Sequence, residues 1–129
     1  MEIQVIKTNK APVPVGPYSQ AIQAGEFIFC SGQIALDPET GELFSGDIET
    51  ETARVMNNLK AVLEAAGSSF DRVVKTTIFV RDMNDFGRIN TVYGSFFNPS
   101  SPPARATIQI SALPKGANVE IECTALSGL

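Results

Sequence analysis

The chain has 129 residues and a formal net charge of −4; 43% of its residues are hydrophobic and 19% are charged. This length and balance fit one globular domain over residues 1–129, with a core large enough to fold without disulfides or a structural metal. The chain contains no histidine, which excludes Ser-His-Asp and Cys-His nucleophilic catalysis and any histidine-ligated zinc site.

The charge of the chain bears on its partners. Its 14 Asp and Glu residues outnumber its 10 Lys and Arg residues, and the basic residues are scattered. Such a chain has no electrostatic footprint for nucleic acid or an anionic membrane, and we expect neither as a partner. No apolar run reaches the length of a membrane span, and the N-terminal residues lack the apolar region of a signal peptide. We therefore expect a cytoplasmic protein.

The chain has two cysteines, Cys30 and Cys123, each within an apolar, strand-like run. Neither has a second Cys or a His at metal-ligand spacing, so we expect no metal site. Free cysteine is among the most often buried residue types, which predicts two buried, reduced thiols rather than a disulfide.

The first third of the chain is predicted to be extended. Residues 2–7 have the composition of a short strand, and the proline-rich stretch that follows cannot be helical. A hairpin is predicted next, with one strand over 18–23, a turn at 24–26 and a second strand over 27–31. The Asp-Pro and Thr-Gly pairs of LDPETGEL then predict a turn.

Two helices and a strand follow. Residues 48–66 have helical spacing, with Asp47 as the expected N-cap and Gly67 just past the C-terminus. RVVKTTIFVRD is rich in β-branched residues and predicts a strand. The segment 85–97 predicts a second helix, capped by Asp82 or Asn84 and stopped by Asn98-Pro99. Asn90 lies at the border of its apolar stripe, where a polar amide is either paired with the backbone or held for a ligand; we favour the first.

The last two segments, 102–110 and 118–126, alternate between apolar and polar residues. In the first, Arg105, Thr107 and Gln109 share one face, and in the second the polar face carries Glu120, Glu122 and Thr124. If the two strands pair with each other through SALPKGA, a guanidinium and carboxylates share one sheet face. That face is then either an ordinary solvated surface or a functional site.

The order of elements predicts an α+β fold, with a mixed sheet of about six strands and two helices on one face. Two helices cover one face of such a sheet, and we expect the other face to carry the polar residues of the last two strands. That face carries too many polar residues to form a dry core, and its apolar residues make exposure to water unfavourable. We therefore expect a homo-oligomer that associates through it, with sites along the seam.

Four ordered blocks give the chain a family resemblance: GPYSQAI from Gly16, FCSGQI from Phe29, VVKTTIFVRDMNDF from Val73 and PPARATIQISALPKGANVEIECTA from Pro102. Together they resemble the Rid (YjgF type) reactive intermediate deaminases, and within them the RidA subgroup. The resemblance implies a chorismate-mutase-like fold and a homotrimer with a site in each intersubunit cleft. It also implies hydrolysis of enamines and imines, such as 2-aminoacrylate, 2-iminobutanoate and 2-iminopropanoate, to 2-oxo acids and ammonia.

The same resemblance implies roles for individual residues. Arg105 binds the substrate carboxylate, Glu120 acts on the water, and the pocket is lined by Tyr18, Ser31, the backbone of Gly32 and the side chain of Asn90. Thr107 occupies a pocket position that often holds a cysteine in the family, so a thiol contribution is absent there. No metal or organic cofactor is expected, and the substrate is a small imino acid that yields an oxo acid.

Two other functions stay open at the level of sequence. The first is a binding or regulatory protein that holds small carboxylates through Arg105 without turnover. The second is a ribonuclease or translation inhibitor, an activity also attributed to members of the family. The acidic balance and the absence of histidine argue against RNA cleavage.

Overall fold

A mixed sheet of six strands, with two α-helices on one of its faces, organises the structure. The computed structural model describes residues 2–128, so both ends of the expected 1–129 domain lie outside the described part. In chain order the elements are β1 (Ile3–Ile6), β2 (Ala21–Ala24), β3 (Phe27–Gln33), α1 (Ile48–Ala65), β4 (Val73–Val80), α2 (Phe86–Gly94), β5 (Ala104–Gln109) and β6 (Val119–Leu126). The expected α+β fold with two helices on one face is confirmed.

The N-terminal hairpin is shorter than the sequence predicts. Its first strand, β2, begins at Ala21, so Tyr18 lies before the strand, in the segment 7–20 that connects β1 with β2. The turn comprises Gly25 and Glu26, and Gly25 has a φ of 61°, in the left-handed region that favours glycine. The backbone N–H of Ser31 donates to Gln20 O, which continues the pairing beyond β2.

The strand order, β1-β2-β3-β6-β4-β5, separates the last two strands. Helix α2 forms a crossover from β4 to β5, and such a crossover makes the two strands parallel neighbours. Strand β6 then pairs antiparallel with both β3 and β4. The expected pairing of β5 with β6 is therefore wrong: β4 lies between them, and β5 is an edge strand.

The core lies between the sheet and the helices. Helix α1 contributes a buried stripe, and the facing strands contribute alternate residues that are as deeply buried. The largest members of this core are Ile28, Met56, Leu59, Leu63, Ile78, Ile89 and Ile121. Cys30 and Cys123 are cross-strand partners within it, both buried and unbridged, as expected.

The helix ends follow local capping chemistry. The Asp47 carboxylate accepts hydrogen bonds from the backbone N–H of Thr50 at 2.9 Å and from its hydroxyl at 2.7 Å, which lower the pKa of Asp47. Gly67 follows α1 with a φ of 75°, as expected for a residue just past a helix end. Helix α2 ends at Gly94 rather than residue 97; the aromatic rings beyond it pack on Phe70 instead. Between residues 2 and 128, neither helix is long and apolar enough to cross a membrane.

The second face of the sheet carries no helix, and we call it the open face. Its exposed residues are more apolar than expected, and include Ile3, Val5, Phe27, Phe29 and Ile108. Phe27 and Phe29 are 44% and 48% exposed, with ring centroids 6.3 Å apart. A surface of this kind is costly in water and is typical of a protein contact.

We expect the buried Glu51 carboxylate on α1 to stabilise the start of β6. Glu51 is 1% exposed and accepts hydrogen bonds from Asn118, from its backbone N–H at 2.8 Å and from its side-chain amide at 2.9 Å. Glu51→Ala should lower the free energy of unfolding by about 2–3 kcal/mol, because both charge-assisted bonds are lost. Urea denaturation measures this, with Glu64→Ala at an exposed position of α1 as the control. Equal losses in the two variants would contradict the assignment.

Candidate functional site

A cavity of about 550 Å³ opens beside the open face and contains four of the residues singled out from sequence, Tyr18, Ser31, Gly32 and Glu120. Its other lining residues are Pro12, Val15, Gln20, Gln33, Ile34, Leu36, Pro114 and Glu122. We call it the carboxylate cavity, after its two glutamates. A neighbouring groove of about 570 Å³ shares Tyr18 and Gln20 with it, and none of its lining residues carries a carboxylate.

A β-bulge shapes the floor of this cavity. Cys30 pairs with Cys123 and Gln33 with Ile121, so Ser31 and Gly32 together oppose Glu122 alone. The Ser31 hydroxyl donates to the Ser19 carbonyl at 2.6 Å, which fixes the side chain at the cavity wall.

The absence of a side chain at Gly32 leaves room for Glu120. A Cβ atom on Gly32 would lie 2.6 Å from Glu120 Oε2, closer than non-bonded atoms allow. The backbone of β3 therefore forms one wall against the carboxylate, and a larger residue at position 32 would displace the Glu120 side chain.

The electrostatics of the cavity raise the pKa of Glu120. Burial is the larger cause, and the negative charge of Glu122, two residues along the same strand face, raises it further. A carboxylate with a raised pKa is a stronger proton acceptor than an exposed glutamate, as a general base requires.

The segment before β2 forms the rim of the cavity. The buried Gln20 side chain holds it in place by accepting from Thr8 N at 2.8 Å and donating to Thr8 O at 3.0 Å and Pro12 O at 2.9 Å. Tyr18 is 48% exposed, and its hydroxyl accepts from Val15 N at 3.3 Å. The hydroxyl stays at the surface, where a ligand can reach it.

A second group of residues lies on the helix side of the sheet, and we call it the arginine cluster: Arg105, Asn90, Phe86 and Tyr93. Arg105 Nη1 donates to Asn90 Oδ1 at 2.6 Å. The guanidinium carbon lies 5.1 Å from the centroid of the Tyr93 ring and 5.3 Å from that of Phe86. Within residues 2–128 its other N–H groups have no hydrogen-bond partner, so a rigid, exposed guanidinium remains available to an anion.

The two groups lie on opposite faces of the sheet, which corrects the expectation that Arg105 and the glutamates share one face. Arg105 pairs with Thr76, whose hydroxyl bonds to Tyr93 on the helix side. Glu120 pairs with Phe79, which points to the open face. Strand β4 lies between β5 and β6, so the register of each strand with β4 decides which face its side chains occupy. Arg105 and Glu120 therefore lie on opposite faces, and one chain cannot bring both charges to one small molecule.

The remaining residues divide in the same way. Thr107 is half-buried and pairs with Ile78, on the same side as Arg105. Gln109, expected on the uncovered face, accepts from Met83 N at 2.9 Å on the helix side. Asn90 is paired within the protein, but its partner is the Arg105 side chain and not the backbone that the sequence analysis favoured.

Sequence reasoning missed the aromatic rings that hold Arg105. Phe86, Asn90 and Tyr93 occupy positions i, i+4 and i+7 of α2 and therefore share one face of the helix. The signal was present in the apolar stripe of α2, but its target on β5 depends on the strand order. Across the described part of the chain, no group of three or more His, Cys, Asp or Glu residues could hold a metal ion.

Comparison with known proteins gives a family for the chain. The sequence pattern of the family described as Endoribonuclease L-PSP matches residues 8–127. A RutC family protein of Pyrococcus abyssi is 52% identical over 125 residues, with 97% of this chain and 98% of that protein covered. A mouse protein named 2-iminobutanoate/2-iminopropanoate deaminase is 49% identical over 125 residues, covering 97% of this chain and 92% of its own.

Solved structures agree with these similarities. The crystal structure of a Rid family protein from Yersinia pestis, described as of unknown function, superposes with a TM-score of 0.94 at 46% identity. The match covers 97% of this chain and 99% of that one. The two proteins are therefore similar in sequence and in structure over the whole fold.

We expect the Glu120 carboxyl to titrate above the ordinary glutamate value of 4.5, because burial and the charge of Glu122 both disfavour its ionised form. Carbon-13 NMR of the side-chain carboxyls measures this directly. Glu122→Gln should lower the Glu120 pKa without bringing it to the ordinary value, because burial is the larger cause. Titration of Glu120 at or below 4.5 in the unmodified protein would contradict this account.

The same shift has a consequence for stability. Because the pKa of Glu120 is higher in the folded than in the unfolded chain, its contribution to stability is fully present below the unfolded pKa. That contribution is lost as the pH rises through the folded pKa. Glu120→Gln, which does not titrate, should lack this part of the pH dependence in urea denaturation.

Proposed function

The chain belongs to the Endoribonuclease L-PSP family, which includes the Rid (YjgF) proteins, and we propose that it is a 2-iminobutanoate/2-iminopropanoate deaminase. In this reaction an imine or enamine of a 2-oxo acid, such as 2-aminoacrylate, is hydrolysed to the oxo acid and ammonia. The observation that carries the proposal is the rigid, exposed guanidinium of the arginine cluster, which suits the substrate carboxylate. The name of the mouse relative supplies the class of substrate.

Arg105 binds the carboxylate of the imino acid. A guanidinium presents two parallel N–H donors to a carboxylate, which fixes both the position and the plane of the ligand. Asn90 and the rings of Phe86 and Tyr93 hold Arg105 in one orientation before the ligand arrives. Less conformational entropy is then lost on binding.

Glu120 carries out the proton transfers. It takes a proton from a water molecule whose oxygen forms a bond to C2, while the π electron pair of the C=N bond moves to nitrogen, and it passes that proton to the nitrogen. In the resulting carbinolamine Glu120 takes the hydroxyl proton and delivers it to the nitrogen as the C2 carbonyl forms, so that the C–N bond breaks, ammonia leaves and Glu120 is again ionised. Ser31 and Tyr18 orient the water by their hydroxyl groups. Acid-base help of this kind contributes typically about 10² to 10⁴-fold.

A complete site requires two copies of the chain. Arg105 and Glu120 lie on opposite faces of the sheet, so one copy supplies the arginine cluster and another supplies the carboxylate cavity. The open face exposes Phe27, Phe29 and Ile108, which favours association through that face. We propose a homotrimer, in which each chain provides one half to each of two clefts; the three-fold order rests on the resemblance to Rid proteins.

Arg105→Ala should abolish imine hydrolysis, and Arg105→Lys should recover little of it. A lysine provides one point charge in place of two parallel donors, and removing a desolvated charge pair costs about 2–5 kcal/mol. The assay generates 2-aminoacrylate with a serine dehydratase and follows the acceleration of pyruvate formation. Arg88→Ala, which removes an exposed arginine from α2, is the matched control. Near-normal activity of Arg105→Lys would exclude bidentate binding.

Two inactive variants should complement each other. If Arg105→Ala and Glu120→Gln chains are unfolded together and refolded, about a quarter of the clefts of a random cyclic oligomer combine the two wild-type residues. Activity should therefore rise well above that of either variant refolded with itself. No gain from a mixture that light scattering shows to be trimeric would mean that the two residues do not meet across a subunit boundary.

A further inference from the structure

The proposed reaction leaves one charged wall of the carboxylate cavity without a role. Glu122 lies two residues beyond Glu120 on β6, so both side chains point to the open face, and both line the cavity. Glu122 is exposed, whereas Glu120 is half-buried. Glu122 is therefore the carboxylate nearer the solvent, where the side chain of a ligand would contact it.

No positive charge in the described part of the chain offsets these two carboxylates inside the cavity. The residues opposite them on β4 are Thr77 and Phe79, and those on β3 are Ser31 and Gly32, all uncharged. The segment before β2, the loop after β3 and the loop before β6 contribute only neutral residues to the lining. The rise that Glu122 produces in the pKa of Glu120 indicates that the two charges interact.

The rest of the lining is largely apolar. Pro12, Val15, Ile34, Leu36 and Pro114 form the remaining walls of a cavity of about 550 Å³. Such walls can bury a short aliphatic chain, because removing apolar surface from water is favourable. They provide no partner for an anionic group.

We propose that Glu122 is a specificity-determining residue that makes this site reject imino acids with a carboxylate in the side chain and accept those with a neutral aliphatic one. This inference rests on the proposed function. The substrate's own carboxylate occupies Arg105, and the lining of the carboxylate cavity, within the described residues, offers a second carboxylate no cation. It would lie against Glu122 and Glu120, where like charges in a partly desolvated cavity repel strongly.

The test compares two imines of similar size. A threonine dehydratase supplies 2-iminobutanoate, and an aspartate oxidase supplies 2-iminosuccinate; the measured quantity is the ratio of their kcat/KM values. Glu122→Gln should raise the ratio of 2-iminosuccinate to 2-iminobutanoate by at least about tenfold, which corresponds to about 1.4 kcal/mol. The gain in kcat/KM should come mainly from a lower KM for 2-iminosuccinate. Added salt should reduce the difference in the kcat/KM ratio between Glu122→Gln and the unmodified protein.

The ratio separates specificity from catalysis. Any change that Glu122→Gln makes in the titration of Glu120 acts on both substrates at the same pH and cancels in the ratio. Glu64→Gln is the matched control, because it removes one negative charge from an exposed position of α1 outside the cavity. We expect it to leave the ratio unchanged.

The outcomes distinguish this inference from the proposed function. If the unmodified protein does not accelerate 2-iminobutanoate hydrolysis, the proposed function fails, and the inference fails with it. If the unmodified protein is active but Glu122→Gln has the same ratio of kcat/KM values for the two substrates, the inference alone is overturned. An equal loss of kcat/KM with both substrates is one such result. Glu122→Lys provides a second variant, and it should favour the dicarboxylate more strongly than Glu122→Gln.

Discussion

The position of β6 between β3 and β4 is the constraint on which the rest of the structure depends. It pairs antiparallel with both neighbours, and its buried residues join the two halves of the sheet over the helices. Side chains alternate along a strand, so the same pairing that buries Val119 and Ile121 sends Glu120 to the open face. The parallel pairing of β4 with β5 sends Arg105 the other way. The division of the charged residues between two faces follows from this topology.

The division has a physical benefit. A guanidinium placed beside Glu120 within one chain would form an internal ion pair and lower the pKa of the carboxyl. Among residues 2–128, no cation lines the cavity beside this carboxyl, and burial together with Glu122 raises its pKa. Arg105 is held by an amide oxygen and two aromatic rings, which leaves its positive charge uncancelled. The two groups therefore do not neutralise each other within one chain.

The apolar character of the open face connects assembly with the site. Phe27, Phe29 and Ile108 would remain in water in an isolated chain, and burial of this apolar surface would favour association. The β-bulge at Ser31 and Gly32 opens the carboxylate cavity in this same region of the sheet. The surface that favours association therefore adjoins the proposed catalytic group.

The sequence alone determined the elements and the chemical groups of this protein, because these depend on local chemistry. Alternation predicted the strands, helical spacing and the Asp47 cap predicted α1, and the absence of histidine limited the catalytic groups to residues such as Glu120 and Arg105. The ordered blocks around Gly16, Phe29, Val73 and Pro102 were sufficient to indicate the family. Only the tertiary structure decided which strands are neighbours, and it separated β5 from β6. Strand neighbours depend on long-range pairing that the alternation within each strand does not encode. That is why the faces of Arg105 and Glu120, the rings around Arg105 and the cavity wall formed by Glu122 could not be read from the sequence.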